Sequence, residues 1–298
     1  MALLQLLING LALGAAYALV ALGFVLILNA TNAVNFAHGD WVMAGGFVAI
    51  AMTSLLPADF VAAGTGVGLL LLPGVMALMA VFGLVFCWVA YMPLKRSPPV
   101  TVFVSTIAVG IMLTNGINAE FGGAPRAAPP LLGAGRIEIG GLTLSHQSLA
   151  ILVVAMVLVT GLGLLLERTQ LGRRLRAAAQ DPDMARALGI RVDRLIAISF
   201  ALGLALAGAA GLLLANQFFV TPAAGGAVML KAYIVVTIGG WGRMTGAVAG
   251  AMLTALFETV VASLVSQPVA EALLYLALFA ILFARPQGLF GESADRRA

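Results

Sequence analysis

Lys231 and Glu258 lie inside long apolar runs, and Asp40 and Glu271 lie near the ends of such runs. A charge in lipid costs at least about 2.5 kcal/mol, so each of these groups needs a partner or a wet cavity. Lys231 and Glu258 carry opposite signs. A structural pair between two spans is the first reading, and a place along a solute path is the second. Asn32, Asn35, His38 and Asp40 form another polar cluster, at a break between two apolar runs. Broken backbone at membrane depth is tolerated where it packs on protein or lines a cavity, so these four are candidate path-lining residues. Catalytic chemistry lacks its parts. The sequence has no HExxH, no CxxC and no GxxxxGK[ST] loop, and its two histidines, His38 and His146, are far apart. The lone Cys87 lies between Phe86 and Trp88, and it excludes an internal disulfide and any cysteine metal site. No metal site is expected, and an enzyme is not.

The elements that must position these groups are membrane spans. Of 298 residues, 62% are hydrophobic and 9% are charged, where a soluble domain carries roughly 25% charged residues. Mean hydropathy is +1.08. Disorder, a collagen-like fibre and a disulfide scaffold are excluded by the same numbers. Net charge is +4; in a membrane chain this reports orientation, and nucleic acid is not an expected partner. Runs ended by Pro, Gly, Asn or charge predict an all-α polytopic protein with about eight or nine spanning or partly spanning helices. They are Leu3–Leu28, Trp41–Leu56, Val67–Tyr91, Val100–Asn118, Leu149–Leu166, Leu195–Ala215, Val228–Gly240, Gly246–Val265 and Val269–Phe283. The first run reads as a span that stays, because no basic n-region precedes it. The whole chain, 1–298, reads as a single membrane domain.

Two segments lie outside the spans. Residues 119–147 are rich in Gly and Pro, and Arg136-Ile137-Glu138-Ile139 within them suits a short hairpin at the membrane surface. Residues 167–194 hold seven of the sixteen basic residues. The positive-inside rule places that loop, Lys95-Arg96 and the tail with Arg285, Arg296 and Arg297 on the cytoplasmic side. Parity closes if Val228–Gly240 crosses, and fails if it is re-entrant. Counting back from Lys95 then puts the N-terminus outside. Asn9–Asn29 and Ser199–Asn216 are similar Ala/Leu/Gly-rich runs with opposite direction. An inverted repeat is one reading, and biased composition is the other. Glycines at three- to four-residue spacing, such as Gly242, Gly246 and Gly250, let helices approach closely.

The cytoplasmic loop is the most informative stretch. Asp181 can cap a helix that has Pro182 at its first position. Met184, Ala187 and Leu188 then share an apolar face, and Gly189 can end the helix in the left-handed region. A helix over Pro182–Leu188 follows, and it either lies on anionic lipid or docks in a partner's groove.

Arg176-Ala177-Ala178-Ala179-Gln180-Asp181, with Met184-Ala185 and Leu188-Gly189-Ile190, resembles the EAA-type coupling loop of ABC importer permeases in the form of the branched-chain amino acid family. Tyr17-Ala18-Leu19, Asn35-Phe36-Ala37-His38-Gly39-Asp40 and the closing Arg285-Pro286-Gln287-Gly288-Leu289-Phe290-Gly291 are similar to that family too. The resemblance covers nearly the whole chain and is to the shorter, LivH-type subunit. Gln180 departs from the acidic residue frequent before Asp181. The resemblance implies an ABC importer permease fold in a bacterial cell (inner) membrane. It implies a second homologous permease subunit, two cytoplasmic ATP-binding subunits that carry the ATP, and a periplasmic or extracellular solute-binding protein. Branched-chain amino acids or related small solutes would move by alternating access, with no cofactor held by this chain. Arg176, Ala178, Asp181, Met184, Ala185, Leu188 and Gly189 would couple it to the ATPases. An ion-coupled secondary transporter using Asp40, Lys231 and Glu258, and a permease for urea or short amides, are the alternatives.

Overall fold

The computed structural model describes residues 2–57, 59, 61, 66–133, 135–139, 142–285 and 288. Arg296, Arg297 and most of the closing 285–291 motif lie outside the described residues. Eleven α-helices and one hairpin make up the described chain: α1 (Ala2–Thr31), α2 (His38–Thr53), α3 (Val67–Phe86), α4 (Pro99–Phe121), β1 (Arg136–Ile139), β2 (Leu142–Ser145), α5 (His146–Arg168), α6 (Gln170–Gln180), α7 (Pro182–Ala187), α8 (Val192–Phe218), α9 (Ala224–Gly239), α10 (Met244–Leu264) and α11 (Gln267–Ala284). A π-turn, Cys87–Tyr91, and a 3₁₀ turn, Met92–Leu94, extend α3 to the Lys95 end of the span. The strands pair antiparallel, Arg136 opposite Ser145, in the hairpin that the 136–139 pattern predicts.

Among the described residues, seven helices are long and apolar enough to cross a bilayer: α1, α3 with its extension, α4, α5, α8, α10 and α11. Within α1 and α8, 89% and 83% of the apolar window is buried, against 33% or less in the other five. These two helices are the axis of the bundle. Lipid offers no hydrophobic drive between helices, so close backbone packing has to supply the attraction. Glycine makes that contact here: a Cβ at Gly23 would stand 2.6 Å from the Gly203 carbonyl oxygen, and one at Gly45 2.5 Å from the Gly208 Cα.

The same arrangement occurs twice in opposite sense. α1 runs antiparallel to α10, with Gly10 on Leu256 and Gly14 on Met252, while α8 runs antiparallel to α3, with Gly83 on Phe200 and Gly208 on Met79. Each axial helix ends at a non-glycine residue with positive φ, Asn32 (φ 51) and Phe219 (φ 58). Each is followed by a short turn and a 16-residue helix, α2 or α9. The N-terminal end of α1 (Gln5, Asn9) shares a cavity with the C-terminal end of α8 (Gln217, Phe218), so the two axes point in opposite directions.

The ends sort into two faces. Lys95 pairs with Asp193 at 2.6 Å, which joins the end of the α3 span to the start of α8 beside the Arg-rich loop. Gly239 packs on Gly246, and Asn29 Nδ2 donates to the Gly242 carbonyl at 2.9 Å, so α9 reaches the same end as the close of α1. The Val228–Gly240 run therefore ends on that face, in a 16-residue helix that starts four residues earlier than its apolar pattern shows. The N-terminal end of α1 lies with the hairpin on the other face. By the positive-inside rule this is the outer face.

Candidate functional site

α2 and α9 are half-length helices that start within the bundle. His38, the first residue of α2, directs Nε2–H to the Val20 carbonyl at 2.9 Å, more than two turns before α1 ends. Asn35 prepares that start: its Oδ1 accepts from Ala37 N at 3.1 Å and its carbonyl accepts from His38 N at 3.2 Å. Phe36 N donates to Thr106 Oγ1 of α4 at 3.2 Å. The first turns of the two half-helices then cross. A Cβ on Gly39 would run into the Gly225 carbonyl oxygen, and one on Gly225 would stand 2.7 Å from the Asp40 Cα. No bulkier residue permits this approach.

Beside the crossing is a cavity of about 600 Å³, within the roughly 300–1,000 Å³ range of small-molecule sites. Phe36 and Asp40 of the α2 start, Ala223 and Gly226 of the α9 start, and Ile107, Ile111 and Thr114 of α4 contribute to its wall. Among the described residues Asp40 is its one charged side chain, 3.4 Å from Thr114 Oγ1, and the remaining wall is mainly apolar. Each half-helix carries its positive dipole end there. Neither cap residue, Ala37 or Ala223, has a side chain that can satisfy the first-turn N–H groups.

Of the four polar residues at the α1–α2 break, only Asp40 reaches this cavity. Asn35 and His38 are buried inside the protein and shape the break. Asn32 terminates α1, its N–H bonded to the Leu28 carbonyl at 2.8 Å. The α4 wall was not legible in the sequence; the polar pair Thr114-Asn115 within an apolar span is the signal that could have found it.

Lys231 and Glu258 pair with each other, away from that cavity. Lys231 Nζ donates to Glu258 Oε1 at 2.7 Å and to Tyr17 Oη at 3.1 Å, and it stands 3.2 Å from Glu271 Oε1. Tyr17 donates to Glu258 Oε2 at 3.0 Å, and Gln267 donates to Glu258 Oε1 at 2.6 Å. This network ties α1, α9, α10 and α11 together. Glu258 is 2% exposed, and on the outer side it meets a second, more polar cavity of about 580 Å³ among Gln5, Asn9, Arg136 and Gln217. Glu271 is identifiable from sequence as an acid near a span end. Tyr17 and Gln267 carry no pattern that reveals them.

The Arg-rich loop folds into α6, α7 and the start of α8. Asp181 Oδ1 accepts from Asp183 N at 3.0 Å and Met184 N at 2.9 Å, the N-cap that its position before Pro182 predicts. Gly189 has φ 79, and Ile190 N bonds to the Ala185 carbonyl at 3.0 Å while Gly189 N bonds to that of Arg186 at 2.9 Å. This is a Schellman closure. The helix ends at Ala187, one residue before the predicted end, because Leu188 is its cap. Ala185 and Ala178 are buried as anchors, whereas Met184 and Leu188 are 58% and 73% exposed. Arg176 holds the Leu166 carbonyl at the end of α5, and so fixes α6 to that span. The result is a rigid two-helix elbow carrying an exposed apolar tip.

Residues 6–283 match the family model for the branched-chain amino acid transport system / permease component. The chain is 32% identical over 300 residues to the high-affinity branched-chain amino acid transport system permease protein BraD of Pseudomonas aeruginosa, covering 97% of this chain and 96% of the relative. It is 29% identical over 299 residues to the corresponding protein LivH of Escherichia coli K12, with the same coverage. A probable branched-chain amino acid transport permease of Methanocaldococcus jannaschii is 28% identical over 239 residues, covering 77% of this chain and 72% of the relative. No solved structure matches the chain significantly.

Proposed function

Starting from the fact that this chain belongs to the branched-chain amino acid transport permease family, LivH type, we propose that it is the non-catalytic membrane subunit of an ATP-driven importer that works by alternating access. It is a multi-pass protein of the inner membrane. It acts with a second homologous permease, two cytoplasmic ATP-binding subunits and an extracytoplasmic solute-binding protein. The observation that carries this reading is the elbow 170–189, whose apolar tip, Met184 and Leu188, is displayed on a capped and anchored helix beside the basic face. Such a tip suits a groove on a cytoplasmic partner. Arg176, Ala178, Asp181, Ala185 and Gly189 hold its shape, and their role is to transmit ATPase closure to α5 and α8.

The solute path runs along the face formed by α2, α4 and α9. Asp40 stands there in the first turn of α2, with Thr114 and Asn115 inside the apolar α4, and lipid is a poor neighbour for such groups. The second permease covers this face and closes the cavity. Asn32, Asn35 and His38 act by shaping the break. Lys231 and Glu258 act as a structural pair.

Gly189→Leu tests the coupling role. A Cβ at Gly189 meets nothing within 4 Å, so the variant folds. The left-handed backbone penalises it by roughly 1–2 kcal/mol and loosens the tip. Uptake driven by loaded binding protein should fall at least tenfold at unchanged membrane abundance. Wild-type uptake refutes the coupling role. Loss of uptake on collapsing the ion gradients while ATP remains would favour an ion-coupled transporter instead.

A further inference from the structure

We infer that the outward face of α5 and the start of α6 hold an anionic phospholipid, with its phosphate on Arg168, Arg173 and Arg174 and an acyl chain along α5. The site goes beyond the proposed transport and needs only the membrane location. Val157, Gly161, Leu164 and Arg168 recur every three or four residues, so they share one face of α5. Val157 and Leu164 are 64% and 44% exposed, and a Cβ on Gly161 would meet nothing within 4 Å. The face is an apolar strip with a notch at Gly161. From Val157 to Arg168 it measures about 17 Å at the helical rise, close to the roughly 15 Å of hydrocarbon in one leaflet. A chain lying there brings its phosphate to the arginine end. α6 keeps two more arginines at that depth, because it folds back on the end of α5. A Cβ on Gly172 would run into the Leu166 carbonyl, and Arg176 holds the same oxygen. Arg173 Nη1 reaches the Arg168 carbonyl at 3.4 Å, and Arg174 is next in the chain. All three arginines are exposed, and among the described residues no carboxylate, Glu167 included, stands within 4 Å of their guanidinium groups. Lys95 and Arg186, by contrast, are matched by Asp193 and Asp183. Like charges this close repel, and a phosphate among them turns the repulsion into charge-assisted hydrogen bonds. The face assigned to the second permease is formed by α2, α4 and α9, while α5 packs on α1, so the strip is left to lipid. A soluble anion would match the arginines and leave the strip bare.

The test uses the complex as purified from its membrane in mild detergent, with phosphatidylglycerol and phosphatidylcholine as competing probes and native mass spectrometry as the readout. Wild type should keep a phosphatidylglycerol under conditions that strip phosphatidylcholine, and equal retention of the two overturns the inference. Each arginine at a membrane surface is worth roughly fivefold in affinity for anionic lipid. Arg168→Gln with Arg173→Gln and Arg174→Gln should therefore weaken the tightest site roughly hundredfold, and unchanged affinity overturns the inference. Arginines also orient a membrane chain. If the triple variant fails to insert, Gly161→Leu decides. It keeps every charge, has room for its Cβ and fills the notch. It should weaken phosphatidylglycerol binding at least about fivefold, and wild-type binding overturns the placement of the chain. Millimolar glycerol 3-phosphate should leave the bound lipid in place; displacement would make this a site for a soluble phosphate and overturn the lipid. Loss of a co-purifying ATPase in the triple variant, with phosphatidylglycerol still bound, would make the arginines a protein contact and overturn it as well.

Discussion

Removing Lys231 should harm the fold more than removing the charge of Glu258, although the two form one ion pair. Lys231→Met leaves a carboxylate that is 2% exposed with only the neutral donors Tyr17 at 3.0 Å and Gln267 at 2.6 Å. An uncompensated buried charge costs about 3–5 kcal/mol. Glu258→Gln leaves Lys231 a second carboxylate, Glu271, at 3.2 Å, and the amide oxygen still accepts one bond. The loss is then one charged hydrogen bond, about 1.5–3 kcal/mol. The double variant removes both charges and should cost less than the sum of the singles by at least about 1 kcal/mol, because residues in contact do not add. The assay is the midpoint of heat-induced loss of the monodisperse peak in detergent, for all four proteins in parallel. The reasoning predicts the order wild type, Glu258→Gln, Lys231→Met from most to least stable. Equal midpoints for the two singles, or strict additivity in the double, would refute it.

Gly39→Ala should abolish accumulation in the membrane, because its Cβ would meet the Gly225 carbonyl and stand 2.5 Å from Met229 N, all backbone that cannot step aside; immunodetection of the membrane fraction checks this, and normal abundance would contradict the crossing. Asp181→Ala removes the two cap bonds and should destabilise the short helix by about 0.5–2 kcal/mol. Faster amide exchange over 182–188 measures it, with Asp181→Asn behaving as wild type. Met184→Asp with Leu188→Asp should leave the chain in the membrane but strip co-purifying ATPase, since both side chains are exposed and contribute little to the fold.

Much of this architecture was legible because lipid writes strong patterns. All nine apolar runs correspond to helices, and the Asp181, Pro182 and Gly189 signals placed α7 to within one residue. The starts of α2 and α9 were missed by three and four residues, because His38-Gly39-Asp40 and Ala224-Gly225-Gly226-Ala227 look like loop by hydropathy. They are helical since Asn35 organises one start and close Gly39–Gly225 packing stabilises the other. The pairing of Lys231 with Glu258 could be read from charge and depth. Their partner Tyr17, more than two hundred positions away in the chain, could not, because a tyrosine in an apolar run has no periodic signature. Asp40 and His38 looked alike as polar residues at a break. Only tertiary contact separates the buried histidine, bonded to Val20, from the carboxylate in the cavity.

The importer reading is tested most directly by leucine uptake into proteoliposomes that contain the complex purified in mild detergent, with binding protein added and ATP enclosed. The account predicts that a second permease and an ATPase co-purify, that uptake needs ATP, and that proton and sodium ionophores leave it unchanged. A chain that purifies alone and takes up leucine only while an ion gradient persists would contradict it.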